Sequence, residues 1–257
     1  MRTFIILTAL FSATASAGSS SGGTWSTSAD EGTAEIFVDS VEDYGGDSGS
    51  GDLSMCHDGS EAFRFFMSSW IFFSQTHYDT WRHFQDGLAW SSDFEKGGDD
   101  DIYNDAADFS YFSGHGNSWG TSFHGTSGDD FASSSEAQWG NNDVEFVALD
   151  ACQVLSATGR PRVQKANVDQ GVHYVLGFET NASDVSTTGT RYGYYLDVGY
   201  TVASAWIQAT KDGHGSWAKG AYVRFASEDC NTVSDNARSW SCDPTSDSYT
   251  VYNVWTL

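Results

Sequence analysis

Val144-Glu145-Phe146-Val147-Ala148-Leu149-Asp150-Ala151-Cys152-Gln153 is a run of β-branched, aromatic and aliphatic residues that stops at an acid, a small residue and a thiol. An apolar run this short, bounded by polar residues, has the length of a buried strand. Upstream, Asp108-Phe109-Ser110-Tyr111-Phe112 repeats the pattern and runs into Ser113-Gly114-His115-Gly116. Downstream, residues 172–178 form a third such run, leading into a polar loop at 180–190. A helical stretch at about 192–210 precedes a fourth, at 221–225. Strands alternating with helices predict an α/β domain with a mostly parallel sheet. In such sheets ligands bind beyond the carboxyl ends of the strands, where both reactive clusters stand.

Further out, residues 35–41 alternate apolar and polar positions and predict a first strand, followed by a glycine- and acid-rich loop at 43–52. Residues 60–70 carry Phe, Met and Trp at helical spacing. The aromatics of 80–94 read either as a strand and turn or as an aromatic-lined wall. Cys152 opens into a predicted helix at 154–157, and the alternation of 248–257 predicts a final strand. The stretch between the histidine and cysteine strands reads as a polar, Gly/Ser-rich loop. With 257 residues and an apolar fraction of 39%, the chain has enough material for one α/β domain with short additions.

The amino-terminal 17 residues combine an arginine, an apolar run and Ala15-Ser16-Ala17, the parts of a secretory signal peptide. The apolar run is too short to span a bilayer. Residues 18–32 read as a flexible Ser/Gly-rich leader, residues 33–226 as the folded domain, and residues 227–257 as a carboxy-terminal loop and strand. The formal charge of −23 opposes binding to nucleic acid and suits a cationic partner or high salt. In an exported chain, Cys230 and Cys242 lie close enough in a polar segment to form a stapling disulfide. Asp99, Asp100 and Asp101 invite a calcium reading but lack the spaced oxygen ligands of an EF-hand loop, and solvated charge is the plainer account. His124, His173 and His214 show no close ligand pair of the zinc-hydrolase kind.

The chemistry-bearing residues are therefore His115 and Cys152. Flanking glycines let the chain turn sharply at His115, and an imidazole there moves protons near neutral pH. Helix amides and a nearby imidazolium would favour the thiolate of Cys152, the attacking species. Backbone amides at Gly116 and Cys152 are candidates to hold a developing oxyanion. Each residue also has a plainer role: a turn histidine, and a buried or bridged cysteine, with Cys56 as the other half of any bridge.

Tyr111-Phe112-Ser113-Gly114-His115-Gly116 and Leu149-Asp150-Ala151-Cys152, in that order, resemble the paired motifs of clan CD cysteine peptidases, which include caspases, metacaspases, legumains and gingipains. Around them, Trp90-Ser91-Ser92-Asp93-Phe94, Asp105-Ala106-Ala107-Asp108-Phe109, Gly171-Val172-His173-Tyr174-Val175-Leu176-Gly177-Phe178 and Ala203-Ser204-Ala205-Trp206 resemble an exported caspase-like branch. The resemblance implies a caspase-like three-layer sandwich and peptide hydrolysis through a thioester, without a cofactor. Cys152 would be the nucleophile and His115 would handle the leaving group's proton. Asp150 is similar to the acid that metacaspases place in a pocket for Arg or Lys; a salt-bridged or capping aspartate is its other reading. The substrate would be a peptide or protein, cationic on this reading. The alternative is a non-catalytic exported binding module on the same fold.

Overall fold

The computed structural model describes residues 34–45, 51–69, 78–125, 130–140, 142–166, 171–226, 232–237 and 249–256. The signal peptide, the leader and the Cys230–Cys242 pair lie outside the described residues. The strands are β1 (Glu35–Ser40), β2 (Asp79–Gln85), β3 (Phe109–Ser113), β4 (Gly116–Asn117), β5 (Gly120–Ser122), β6 (Phe131–Ser133), β7 (Phe146–Asp150), β8 (Tyr174–Phe178), β9 (Lys219–Ala226) and β10 (Tyr249–Thr256). The helices are α1 (Cys56–Ser68), α2 (Arg160–Ala166), α3 (Thr187–Asp197) and α4 (Val202–Gly213).

Seven strands form one sheet in the order β10-β9-β8-β7-β3-β1-β2. From β2 to β8 every neighbouring pair is parallel, whereas β9 and β10 close one edge antiparallel. The expected mostly parallel α/β sheet is present, with 219–226 running against β8 rather than along it.

Period-two alternation sorts the strand side chains onto two faces. On one face, Ile36, Val38, Phe109, Tyr111, Phe146, Ala148, Tyr174, Leu176 and Phe178 join Phe63 and Met67 of α1, Tyr192 and Leu196 of α3, and Val202 and Trp206 of α4. On the other, Phe37, Phe112, Val147, Leu149, Val175 and Val223 pack with Val163 of α2 and with Tyr44, Phe94, Phe123 and Trp139 from the connections. Strands buried on both faces explain the near-continuous apolar runs of the sequence. Full burial of a side chain such as Phe109 or Leu176 is worth roughly 1.5–3 kcal/mol.

α1 buries Cys56, Gly59, Ser60, Phe63 and Met67, a stripe at three- and four-residue spacing. It crosses α3 closely, since a Cβ on Gly189 would lie 2.3 Å from the Gly59 carbonyl oxygen. The stretch expected as one helix at 192–210 is two, α3 and α4, broken by a turn in which Gly199 adopts φ +91°. Thr201 then caps α4 by accepting from the Ser204 amide at 3.3 Å. Residues 80–94 resolve into β2 followed by two short 3-10 turns, Asp86–Leu88 and Ser91–Asp93. The expected loop between the histidine and cysteine strands contains the small antiparallel sheet β4-β5-β6.

The expected helix at 154–157 does not form. Gln153 enters the left-handed region at φ +58° and Ser156 N–H closes a tight turn on Gln153 O at 2.9 Å, while Gln153 N–H to Thr180 O at 2.9 Å and Leu155 N–H to Phe178 O at 3.0 Å tie the segment beside β8. Residues 151–159 consequently run as turns, and α2 starts only at Arg160. Among the described residues, no helix is long and apolar enough to cross a membrane.

Candidate active site

In the sheet register Ser40 pairs with Ser113, and Ser113 with Asp150, so the carboxyl ends of β1, β3 and β7 lie in one row. After β1 the chain goes to β2 on one side, and later to β3 on the other. That reversal opens a crevice at the strand ends, the usual ligand position in such sheets. A cleft is found there, lined by residues that include Cys56, Ser113, His115, Asp150, Cys152 and Asp184. His115 and Cys152 thus line the same cleft, from adjacent strand ends.

His115 is half-buried, and three contacts hold it. Its backbone N–H donates to the Tyr44 hydroxyl at 2.6 Å, its Nε2 lies 2.6 Å from Gly51 O, and its ring centroid is 4.8 Å from that of Tyr44. A carbonyl oxygen only accepts, so Nε2 carries a proton, and in the neutral ring the lone pair is on Nδ1. The peptide oxygen of His115 accepts from Ser122 N–H at 2.9 Å, which anchors the turn to β5.

Cys152 is half-buried and free. Its Sγ accepts from Ala182 N–H at 3.2 Å and lies 3.7 Å from Ala182 O. None of these bonds reaches His115. Burial raises the thiol above its ordinary pKa; the Ala182 amide opposes this and the nearby Asp150 charge reinforces it. The expectation of a thiolate favoured by helix amides is therefore corrected, because no helix starts at Cys152 and the resting sulfur is held as a thiol. The following residue, Gln153, has φ +58°, a left-handed position uncommon outside glycine. Its amide bond to Thr180 O and a 2.6 Å bond from Nε2 to Asn181 Oδ1 hold it there.

Glycine lets the two reactive turns touch. A Cβ on Gly116 would lie 2.9 Å from Ala151 Cβ, 3.0 Å from Val154 Cγ1 and 3.2 Å from Cys152 O. Gly116 pairs with Thr121, next to the bonded pair at His115 and Ser122. Antiparallel ladders alternate bonded and non-bonded pairs, so the Gly116 N–H points away from β5. The Cys152 amide makes no hydrogen bond among the described residues.

Asp150 accepts from the Tyr111 hydroxyl at 3.1 Å. Burial pushes its carboxyl up to about 7, against the Tyr111 hydrogen bond and with help from the Asp184 charge. Among the described residues it neither joins an ion pair nor caps a helix, the two plainer roles its sequence position allowed.

Of the lining residues, Asp184 escaped the sequence reading, and Cys56 entered it only as a possible bridge partner of Cys152. Asp184 binds the start of α1, accepting from Ser54 N–H at 2.8 Å and Met55 N–H at 3.1 Å, with Cys56 Sγ 3.8 Å away. Cys56 is buried, and desolvation drives its thiol far up the pH scale despite a bond with Ser113. Next to Asp184, Ser183 N–H donates to His214 Nδ1 at 3.1 Å, so His214 is neutral with its Nε2 proton on Thr188 Oγ1 at 2.8 Å. Burial lowers His214 to about 4. Ala182, Ser183 and Asp184 are thus pinned one after another to Cys152, His214 and α1.

The other metal-capable residues lie elsewhere in the fold. His124 Nδ1 is 2.6 Å from Asp43 O, while the buried His173 pairs with the buried Asp235 at 2.8 Å. Among the described residues, no group of three or more His, Cys, Asp or Glu is arranged to hold a metal ion, Asp99–Asp101 included.

The sequence model of one family, Domain of unknown function (DUF6345), matches residues 38–256, and the chain belongs to that family. No curated protein matches. Among solved structures the chain is similar to a secreted C11 cysteine protease from Bacteroides thetaiotaomicron, determined in complex with an irreversible peptide inhibitor. The two are 11% identical with a TM-score of 0.46, over 75% of this chain and 66% of that one, just under two thirds of the protease's length.

Proposed function

We propose that this chain is an exported cysteine peptidase in which Cys152 is the nucleophile and His115 the proton carrier. The observation that carries the reading is that both residues, from adjacent parallel strand ends, line one cleft together with Asp150. The His115 imidazole takes the Cys152 thiol proton as Sγ attacks the peptide carbonyl carbon, the Gly116 and Cys152 amides receive the oxyanion, and the imidazole passes that proton to the leaving amine as the C–N bond breaks. Water then hydrolyses the thioester and regenerates the thiol. Asp150 would read a cationic side chain, because a guanidinium or ammonium beside it supplies the countercharge that lets the desolvated carboxyl ionise.

Incubating the mature protein with a peptide library rich in Arg and Lys tests the proposal. Cleavage is expected in the native protein and absent in Cys152→Ala, while full cleavage by that variant would sink the assignment.

A second reading, a non-catalytic binding module, has its own support: Nε2 of His115 is occupied by Gly51 O and the resting Cys152 is a thiol. It predicts binding of peptides without turnover and a Cys152 inert to peptide-based acylating probes.

A further inference from the structure

We infer that Tyr44 is a positioning residue for His115, an inference that rests on the catalytic role proposed for that histidine. Tyr44 lies just beyond β1, the strand beside β3, and is fully buried. Its hydroxyl accepts the His115 backbone N–H at 2.6 Å, and its ring stands against the imidazole at 4.8 Å and 45°. The chain reaches this hydroxyl only because position 114 lacks a side chain: a Cβ on Gly114 would lie 2.7 Å from Tyr44 Oη and 2.8 Å from Phe112 Cζ.

The connection from β1 to α1 therefore grips His115 twice. Tyr44 holds the backbone and one ring face, and Gly51, seven residues later, holds Nε2. A histidine in a glycine-flanked turn has ample backbone freedom of its own. The Tyr44 contacts remove that freedom and keep the imidazole at the cleft. Tyr44 does not touch substrate on this account and acts through His115 alone.

The blander role, an aromatic filling the core with Phe94, Phe112 and Phe123, is separated by Tyr44→Phe, which keeps the ring and removes only the hydroxyl. Two readouts are needed. The first is the His115 ring resonance and its titration by NMR. The second is peptide turnover, with Tyr44→Phe also made in a His115→Ala background. The imidazole signal and its midpoint should move, kcat should fall by about 10- to 100-fold with KM within about twofold, and the loss should vanish in the His115→Ala background.

If the His115 titration and kcat match the native protein, the inference is overturned, even where the melting temperature drops. If the native protein cleaves no peptide yet Tyr44→Phe moves the His115 signal, the peptidase reading falls and the positioning of His115 by Tyr44 stands.

Discussion

Gly116→Ala should disturb both reactive turns at once. The added methyl would lie 2.9 Å from Ala151 Cβ and 3.0 Å from Val154 Cγ1. Carbon atoms settle at about 3.5–4.0 Å, so the His115 and Cys152 turns must part by roughly 0.5–1 Å. Overpacking of this kind costs about 1–3 kcal/mol, or roughly 2–10 °C of melting temperature in a chain of this size. A misplacement near 1 Å costs reactions up to about 100-fold, so turnover should fall well beyond what the lost stability explains. Calorimetry and peptide cleavage read the two effects separately. Ala151→Gly in the same background removes the closest clash and should recover part of each. A Gly116→Ala protein that melts and reacts like the native one would refute the reasoning, because it would mean the turns are not in contact.

Asp105, Asp93 and Asp100 are buried and pushed up to about 8, 7 and 6 by desolvation, and Asp150 to about 7. Their folded pKa values exceed the unfolded ones, so the fold binds more protons and stability should decline as pH rises from about 4 to 8, on the order of 5 kcal/mol for Asp105 alone. His83 and His214, both lowered to about 4 by burial, work the other way between about 4 and 6.5, but they are two groups against these four acids and the buried Asp39, which desolvation also raises. Urea midpoints at pH 5, 6.5 and 8 should fall in that order, and a rise would contradict the burial of these acids. Asp184→Ala should cost about 1–2 kcal/mol, comparable to losing a helix cap, and speed amide exchange at Ser54 and Met55; unchanged exchange there would deny that contact its role. Iodoacetamide at pH 8 should alkylate Cys152 before Cys56, which is 6% exposed and whose thiol is driven far up; peptide mapping showing Cys56 first would reverse the assignment.

The strands of this fold were readable because burial on both faces writes itself as contiguous Val, Phe, Leu and Tyr. His115 and Cys152 were readable for a related reason: parallel neighbours bring their carboxyl ends together, so the residues just past each run converge. The hidden features depend on distant partners. The start of α1 at Cys56 comes after an unpromising Ser54-Met55 pair, and the acid that receives those amides, Asp184, is some 130 residues away. The turns after Cys152 are likewise tied to a distant segment, through bonds from the Gln153 and Leu155 amides to the carbonyls of Thr180 and Phe178. The strand at 219–226 reads apolar whichever way it points, and direction leaves no mark on composition. Tyr44 and Gly51 sit in a segment whose Gly and Asp content announces only a loop.

Both free thiols at the cleft rest protonated, Cys152 held by a single backbone amide and Cys56 enclosed beside Asp184. Peroxide attacks thiolate, so sulfurs kept in the thiol form oxidise slowly. That is a form of durability. In surroundings where disulfides form readily, such a protein would keep its sulfur chemistry intact during long idle periods, and reactivity would appear only when an occupant of the cleft changes the environment of Cys152.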